Sequence, residues 1–206
     1  MKPTLYASLA GLSLAVLMGV ATAVLMHGSR VFARIVYPYM VISQTVPIIA
    51  VAPLIIIWFG YGISAKIFTV TLVCFFPVAL GLFDGLKQVS IEQIRLLKSM
   101  GANSWKIYRY LKIPASLPTF FTGLKLAATY SVMGAVIGEW LGGNRGLGIY
   151  MTRATKSFQT AHVFAVIIVI VLLSMSIFGV VALLDRVFLK WHYQKVDEYE
   201  DLRQNT

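Results

Sequence analysis

Few of the 206 residues carry groups suited to covalent chemistry. A single cysteine, Cys74, excludes a disulfide framework, a multi-cysteine zinc site and an iron–sulfur cluster. His27, His162 and His192 lie far apart in sequence and give metal chemistry no foothold. The eight acids are scattered or gathered in the tail, so an enzyme would lack grouped carboxylates. What remains suits binding and the transmission of force. Gln44 and Thr45 stand beside Pro47, Tyr130 and Ser131 interrupt an apolar run, Glu139 is isolated, and cations interleave with aromatics from Trp105 to Lys112.

The elements that must position these groups are spans of a bilayer. The chain is 58% hydrophobic and only 13% charged, well outside the soluble range of roughly 45–50% and 25%. Its 18 Lys and Arg against 8 Asp and Glu give a net +10, which in a soluble protein would raise the question of nucleic acid. The long charge-free stretches decide against that partner, because they match a bilayer crossing in length. Five spans are expected, at about 4–26, 35–60, 67–83, 119–141 and 161–184, with Lys66 snorkelling to lengthen the third. The second contains Pro38, Pro47 and Pro53 and should be kinked or broken, which a membrane tolerates only against protein or a water-filled cavity. Segment 1–192 reads as one transmembrane domain and 193–206 as a polar cytoplasmic tail.

Orientation follows from the cations, whose excess stays in the cytoplasm. Twelve Lys and Arg fall on the side of the 84–117 loop and five on the other, so that loop is inside. Five spans ending inside place the N-terminus outside. That leaves a helix upstream of this sequence or a five-span form.

The inner loop is the most organised segment outside the membrane. Ser90-x-x-Gln93 reads as a capping box opening a helix with Ile91, Ile94 and Leu97 on one stripe, and Gly101 closes it. A second short helix begins at Asn103 or Ser104. Trp105, Tyr108 and Leu111 form its apolar stripe, Lys106, Arg109 and Lys112 a basic one, and Pro114 and Pro118 stop it. Such a pair either lies on the lipid surface or docks a partner, since Trp, Tyr and Arg dominate interface energetics.

Gly101-Ala102-Asn103, with Leu111-Lys112-Ile113-Pro114 beginning after nine residues counted from the glycine, resembles the Gly-x9-Ile-x-Leu-Pro half of the signature loop of ABC-importer permeases, the binding-protein-dependent transport inner-membrane component family. Arg95-Leu96-Leu97 departs from that family's Glu-Ala-Ala. Further likeness lies in Pro47–Leu54, Trp58-Phe59-Gly60-Tyr61-Gly62, Phe75-Phe76-Pro77, Gly138-Glu139-Trp140 and Gly146-Leu147-Gly148. These look like the branch handling sulfonates, taurine, nitrate and thiamine-precursor pyrimidines.

The resemblance implies an all-α integral membrane protein of the MetI-like permease fold in a bacterial cytoplasmic membrane. It implies six spans, of which this sequence would lack the first. It also implies a second permease subunit as homodimer partner, cytoplasmic ABC ATPase subunits and an extracytoplasmic solute-binding protein. The chain has no Gly-x4-Gly-Lys-Ser/Thr loop, so ATP would be used by the partner and no cofactor held here. Gly101, Ala102, Asn103, Trp105, Lys106, Tyr108, Arg109, Leu111, Ile113 and Pro114 would form the coupling loop. Gln44, Thr45, Pro47, Tyr130, Ser131 and Glu139 would serve the substrate pathway. A hydroxymethylpyrimidine-type thiamine precursor is the favoured cargo, ahead of sulfonate, taurine or nitrate. An ATP-independent transporter or channel is the alternative of another class, disfavoured because the second, third and fifth spans as drawn contain no Asp, Glu, Lys or Arg.

Overall fold

The computed structural model describes residues 1–191, and every regular element among them is helical. The expected tail at 193–206 lies outside the described residues. In chain order the helices are α1 (Lys2–Gly28), α2 (Arg30–Thr45), α3 (Ile48–Phe59), α4 (Ile63–Lys87), α5 (Ile91–Ser99) and α6 (Ser104–Ile107). After a π-helical turn at Tyr108–Lys112 follow α7 (Ile113–Gly142), α8 (Leu147–Lys156) and α9 (Thr160–Phe188). Four continuous helices are long and apolar enough to cross a membrane: Lys2–Gly28, Ile63–Lys87, Ser104–Leu141 and Thr160–Phe188.

The remaining expected span is divided. α2 has 16 residues and α3 has 12, so neither alone covers about 30 Å of hydrocarbon at 1.5 Å per residue. Of its three prolines only Pro47 breaks the helix; Pro38 and Pro53 are carried inside α2 and α3. Val46, the residue before that proline, is driven to ψ 119°, as the clash with a following proline ring requires.

α4 and α7 cross at the centre, α1 packs against both, α9 runs along α7, and α8 bridges α7 and α9. Small residues allow this closeness. The buried positions of α1 include Thr4, Ala7, Ser8, Gly11, Ala15, Gly19 and Ala23, a helical spacing of small side chains turned mainly to α4. In a bilayer, where lipid is as apolar as leucine, such close approach supplies much of the packing energy. By contrast α9 buries only Val166, Ile177, Val181 and Asp185, and leaves most of its valines, isoleucines and leucines facing outward.

At the α4–α7 crossing a methyl on Gly123 would overlap the Pro77 carbonyl, and one on Gly81 would come 2.7 Å from the Thr119 carbonyl. Gly123→Ala should therefore cost about 1–3 kcal/mol, since rigid backbone must move. Thermal unfolding in detergent checks this, with Gly179→Ala as control, because no atom lies within 4 Å of that position. A Gly123→Ala melting temperature equal to that of Gly179→Ala would refute the packing account.

Two of the expected spans lie inside longer helices, and the expected snorkelling of Lys66 needs correction. The third, 67–83, is part of α4, which covers 25 residues and takes in Lys66, 4% exposed and held inside the bundle rather than reaching to an interface. The fifth likewise extends to include buried Asp185. Charge-free counting stops short at a charged residue, and it fails where that residue has a partner inside the bundle.

Candidate transport pathway and cytoplasmic docking segment

The break at Pro47 opens onto two recesses. A larger one of about 760 Å³ lies between the end of α2 and helices α4, α7 and α9, with Gln44, Lys125, Thr129, Tyr130 and Phe178 on its wall. A smaller one of about 250 Å³ sits at the break itself and includes Ser43, Pro47 and Met133. Gln44 and Tyr130 border both, so they are the groups that material passing from one recess to the other would meet. The lining is mainly apolar, with amide and hydroxyl groups at few points, as small-molecule sites usually are.

Thr45, Ser131 and Glu139, three of the expected pathway residues, line neither recess. Thr45 Oγ1 donates to the Ile42 carbonyl at 2.8 Å, one of those left free where α2 ends, and Ser43 Oγ donates to the Met40 carbonyl at 2.7 Å. Ser131 is fully buried and its hydroxyl donates to the Ala128 carbonyl at 2.7 Å. Glu139 borders neither recess.

Glu139 instead organises the end of the bundle where α1 begins. Its side chain is 0% exposed. Oε1 accepts from Thr4 Oγ1 at 2.8 Å and stands 3.7 Å from the Lys66 ammonium, while Oε2 accepts from the Gly148 N–H at 2.8 Å. The Leu147 N–H donates to Thr4 Oγ1 at 3.1 Å, and Lys66 Nζ donates to the Arg145 carbonyl at 2.7 Å. The free amides at the start of α8 are thus capped by side chains from α7 and α1, and the carboxylate meets the positive end of the helix dipole. Gly146, at φ 147°, presses so closely on the Glu139 carboxylate that any Cβ would overlap it. Lys66, and not the exposed Arg145 nearer in sequence, is the cation beside Glu139.

A second pair, Lys125 with Asp185 at 2.6 Å, ties α7 to α9 beside the larger recess. Neither pairing was foreseen, although a lone lysine in an apolar run is itself a signal that a partner exists.

At the opposite end, 84–117 folds much as its caps require. Ser90 and Gln93 form a reciprocal capping box, and the N–H groups of Gly101 and Ala102 reach the carbonyls of Lys98 and Leu97 in a Schellman turn, with Gly101 at φ 80°. The Glu92 carboxyl is held below the usual carboxylate range by its own backbone N–H and by the Ser90 hydroxyl. Asn103 Oδ1 accepts from the Lys106 N–H at 2.9 Å and starts α6.

The register of α6 differs from expectation in two ways. Ile107 is the buried residue, with Tyr108 and Leu111 half-buried beside it, so Trp105 does not belong to the inward stripe. It projects at 69% exposure near Lys106 and Arg109, and Tyr110 is also exposed. Nor do Pro114 and Pro118 stop the helix. The Ile113 N–H bonds to the Tyr108 carbonyl, five residues back, and this widened turn carries the chain into α7. Pro114 occupies the first turn of α7, where a missing N–H is tolerated, and Pro118 is carried inside that helix. Ser104–Leu141 is consequently one rod of 38 residues.

Long apolar helices, one divided crossing and a recess at the division define a membrane permease. The chain belongs to the binding-protein-dependent transport system inner membrane component family, which it matches over residues 11–190. It is 39% identical over 181 residues to the formylaminopyrimidine transport permease protein ThiX of Halalkalibacterium halodurans, covering 88% of this chain and 72% of that one. It is 32% identical over 178 residues to the taurine transport system permease protein TauC of Escherichia coli, covering 86% and 65%. Among solved structures, the inward-facing MetNI methionine ABC transporter superposes with a TM-score of 0.76 at 19% identity, over 90% of this chain and 93% of that one. At that identity the likeness carries the fold alone. The chain is an ABC-type permease subunit, a multi-pass membrane component and not an enzyme.

Proposed function

We propose that the chain forms the substrate pathway of an importer for a small, uncharged heteroaromatic compound, a thiamine-precursor pyrimidine of the hydroxymethyl or formylamino type. In this reading a solute-binding protein delivers it at the Glu139 end, it passes between Gln44 and Tyr130, and a cytoplasmic ATPase drives the cycle from the other end. A second copy of the chain completes the pathway in a bacterial cytoplasmic membrane. The charge around the larger recess carries this preference. Lys125 is neutralised by Asp185, and Asp84 adds a further acid to the wall, so a sulfonate would find no uncompensated cation there. A neutral ring fits the apolar lining, with the Gln44 amide and the Tyr130 hydroxyl able to bond ring nitrogens. The similarity to ThiX points the same way.

Load transfer is proposed to run along the 38-residue rod, which joins exposed Trp105 to Tyr130 and Glu139 without a loop. Gly101 through Pro114 would be the segment the ATPase grips.

Proteoliposomes containing the chain with its ATPase and binding protein should take up labelled hydroxymethylpyrimidine on addition of ATP, with little uptake of taurine. Gln44→Leu should cut pyrimidine uptake about tenfold, the effect of roughly one buried hydrogen bond. Preferred uptake of taurine, undiminished by that substitution, would reverse the assignment.

A further inference from the structure

A third recess, of about 480 Å³, lies at the cytoplasmic end between the α1–α2 corner, the end of α4 and the π turn. Arg30, Arg34, Lys87, Lys112 and His27 surround it, and no Asp or Glu lines it. Lys112 Nζ donates to His27 Nε2 at 2.8 Å, which fixes the imidazole as the neutral acceptor, and the Lys87 ammonium sits 3.9 Å above the Phe83 ring. The two ion pairs among the described residues, Lys66–Glu139 and Lys125–Asp185, involve none of these cations. Asp84, the acid of α4, lines the larger recess instead.

Four cations lining one concavity repel one another, and an anion shared among them relieves that repulsion. The N-terminus of α2, at Arg30, adds its dipole to the same place. The walls are not wholly polar: Met26, Phe83 and Leu86 supply an apolar side. Two guanidinium groups match the oxygens of a phosphate better than a monovalent halide does.

We propose that this recess binds a phosphate-bearing anion, either the headgroup of an anionic phospholipid or a soluble phosphate. The anion links the α1–α2 corner to Lys112, on the π turn that joins the docking segment to α7. This site is separate from the transport pathway and does not depend on the identity of the cargo.

The test uses the full chain, with Arg30→Gln/Arg34→Gln as the site variant and Arg153→Gln/Lys156→Gln, on exposed parts of α8, as the charge-matched control. Both site arginines are exposed, so the substitutions leave the fold intact. Lys112→Gln serves as a second site variant. One arm measures retention of phosphatidylglycerol by native mass spectrometry. The other measures the thermal shift caused by inorganic phosphate in phosphatidylcholine nanodiscs, against sodium chloride of equal ionic strength. Each removed cation should weaken the anion about fivefold, so the double site variant loses roughly 25-fold. Retention of the lipid that the site variants abolish identifies a headgroup site, and a phosphate-specific shift that they abolish identifies a soluble anion. No response in either arm overturns the proposal, as does an equal loss in the control, which would mark general attraction of positive charge.

Discussion

Glu139→Leu is expected to destabilise the protein by about 3–5 kcal/mol, because removing one member of a buried pair strands the other charge. Lys66, 4% exposed, would keep its bond to the Arg145 carbonyl but lose its counter-ion. The Gly148 amide and the Thr4 hydroxyl would lose their acceptor as well. Lys66→Met combined with Glu139→Leu should recover most of the loss, leaving about 1–3 kcal/mol for the unsatisfied amide. Such non-additivity is the sign that the two side chains answer each other. Thermal unfolding of the four proteins in one detergent gives the cycle, and limited proteolysis of 142–156 reports whether α8 detaches first. Additive losses, or a Glu139→Leu protein melting with the wild type, would remove Glu139 from its place as the cap of α8.

What could be read from the sequence tracks the range of the interaction involved. Ser90 with Gln93, Gly101 and Asn103 act on backbone within three residues, and each sits where its local pattern put it. The break at Pro47 is similarly local, a missing N–H and a ring clash. Features set by contact between distant helices stayed hidden. Lys66 meets Glu139 across 73 positions and Lys125 meets Asp185 across 60, and no local pattern encodes such a pairing. The inward face of α6 is a third example. Periodicity allows either Trp105 or Ile107 to point inward, and the packing of the rod against its neighbours chooses the smaller, wholly apolar side chain. The same limit explains the division of the proposed pathway residues. Gln44, Pro47 and Tyr130 meet at the recesses, while Ser131, one position from Tyr130, turns by about 100° of helix into the core.

Trp105→Ala with Arg109→Glu follows from the docking segment proposed above, and should release the ATPase while leaving the bundle folded. Trp105 is 69% exposed, and Arg109 is exposed as well, so neither substitution removes core packing. An aromatic and an arginine are the types whose loss from an interface costs about 2 kcal/mol or more each, so affinity should fall by roughly 700-fold if the two losses add, and by at least the roughly 30-fold of one alone. Reversing the charge at Arg109 sets an acid where the partner has met a cation, and repulsion deepens the loss. Arg95, which departs from the Glu-Ala-Ala of the resemblance above, would in that reading face an acidic surface of the ATPase. Arg95→Glu should then weaken the complex rather than strengthen it. Tyr61→Ala is the control, because Tyr61 is 75% exposed but precedes α4 at the opposite end. Co-purification with the tagged ATPase and ATP-driven uptake should both survive Tyr61→Ala and fail in the double variant, with melting temperatures alike. Retention of the ATPase by the double variant would leave Trp105 and its cations as a helix lying on the lipid surface, and the force would have to enter the rod elsewhere.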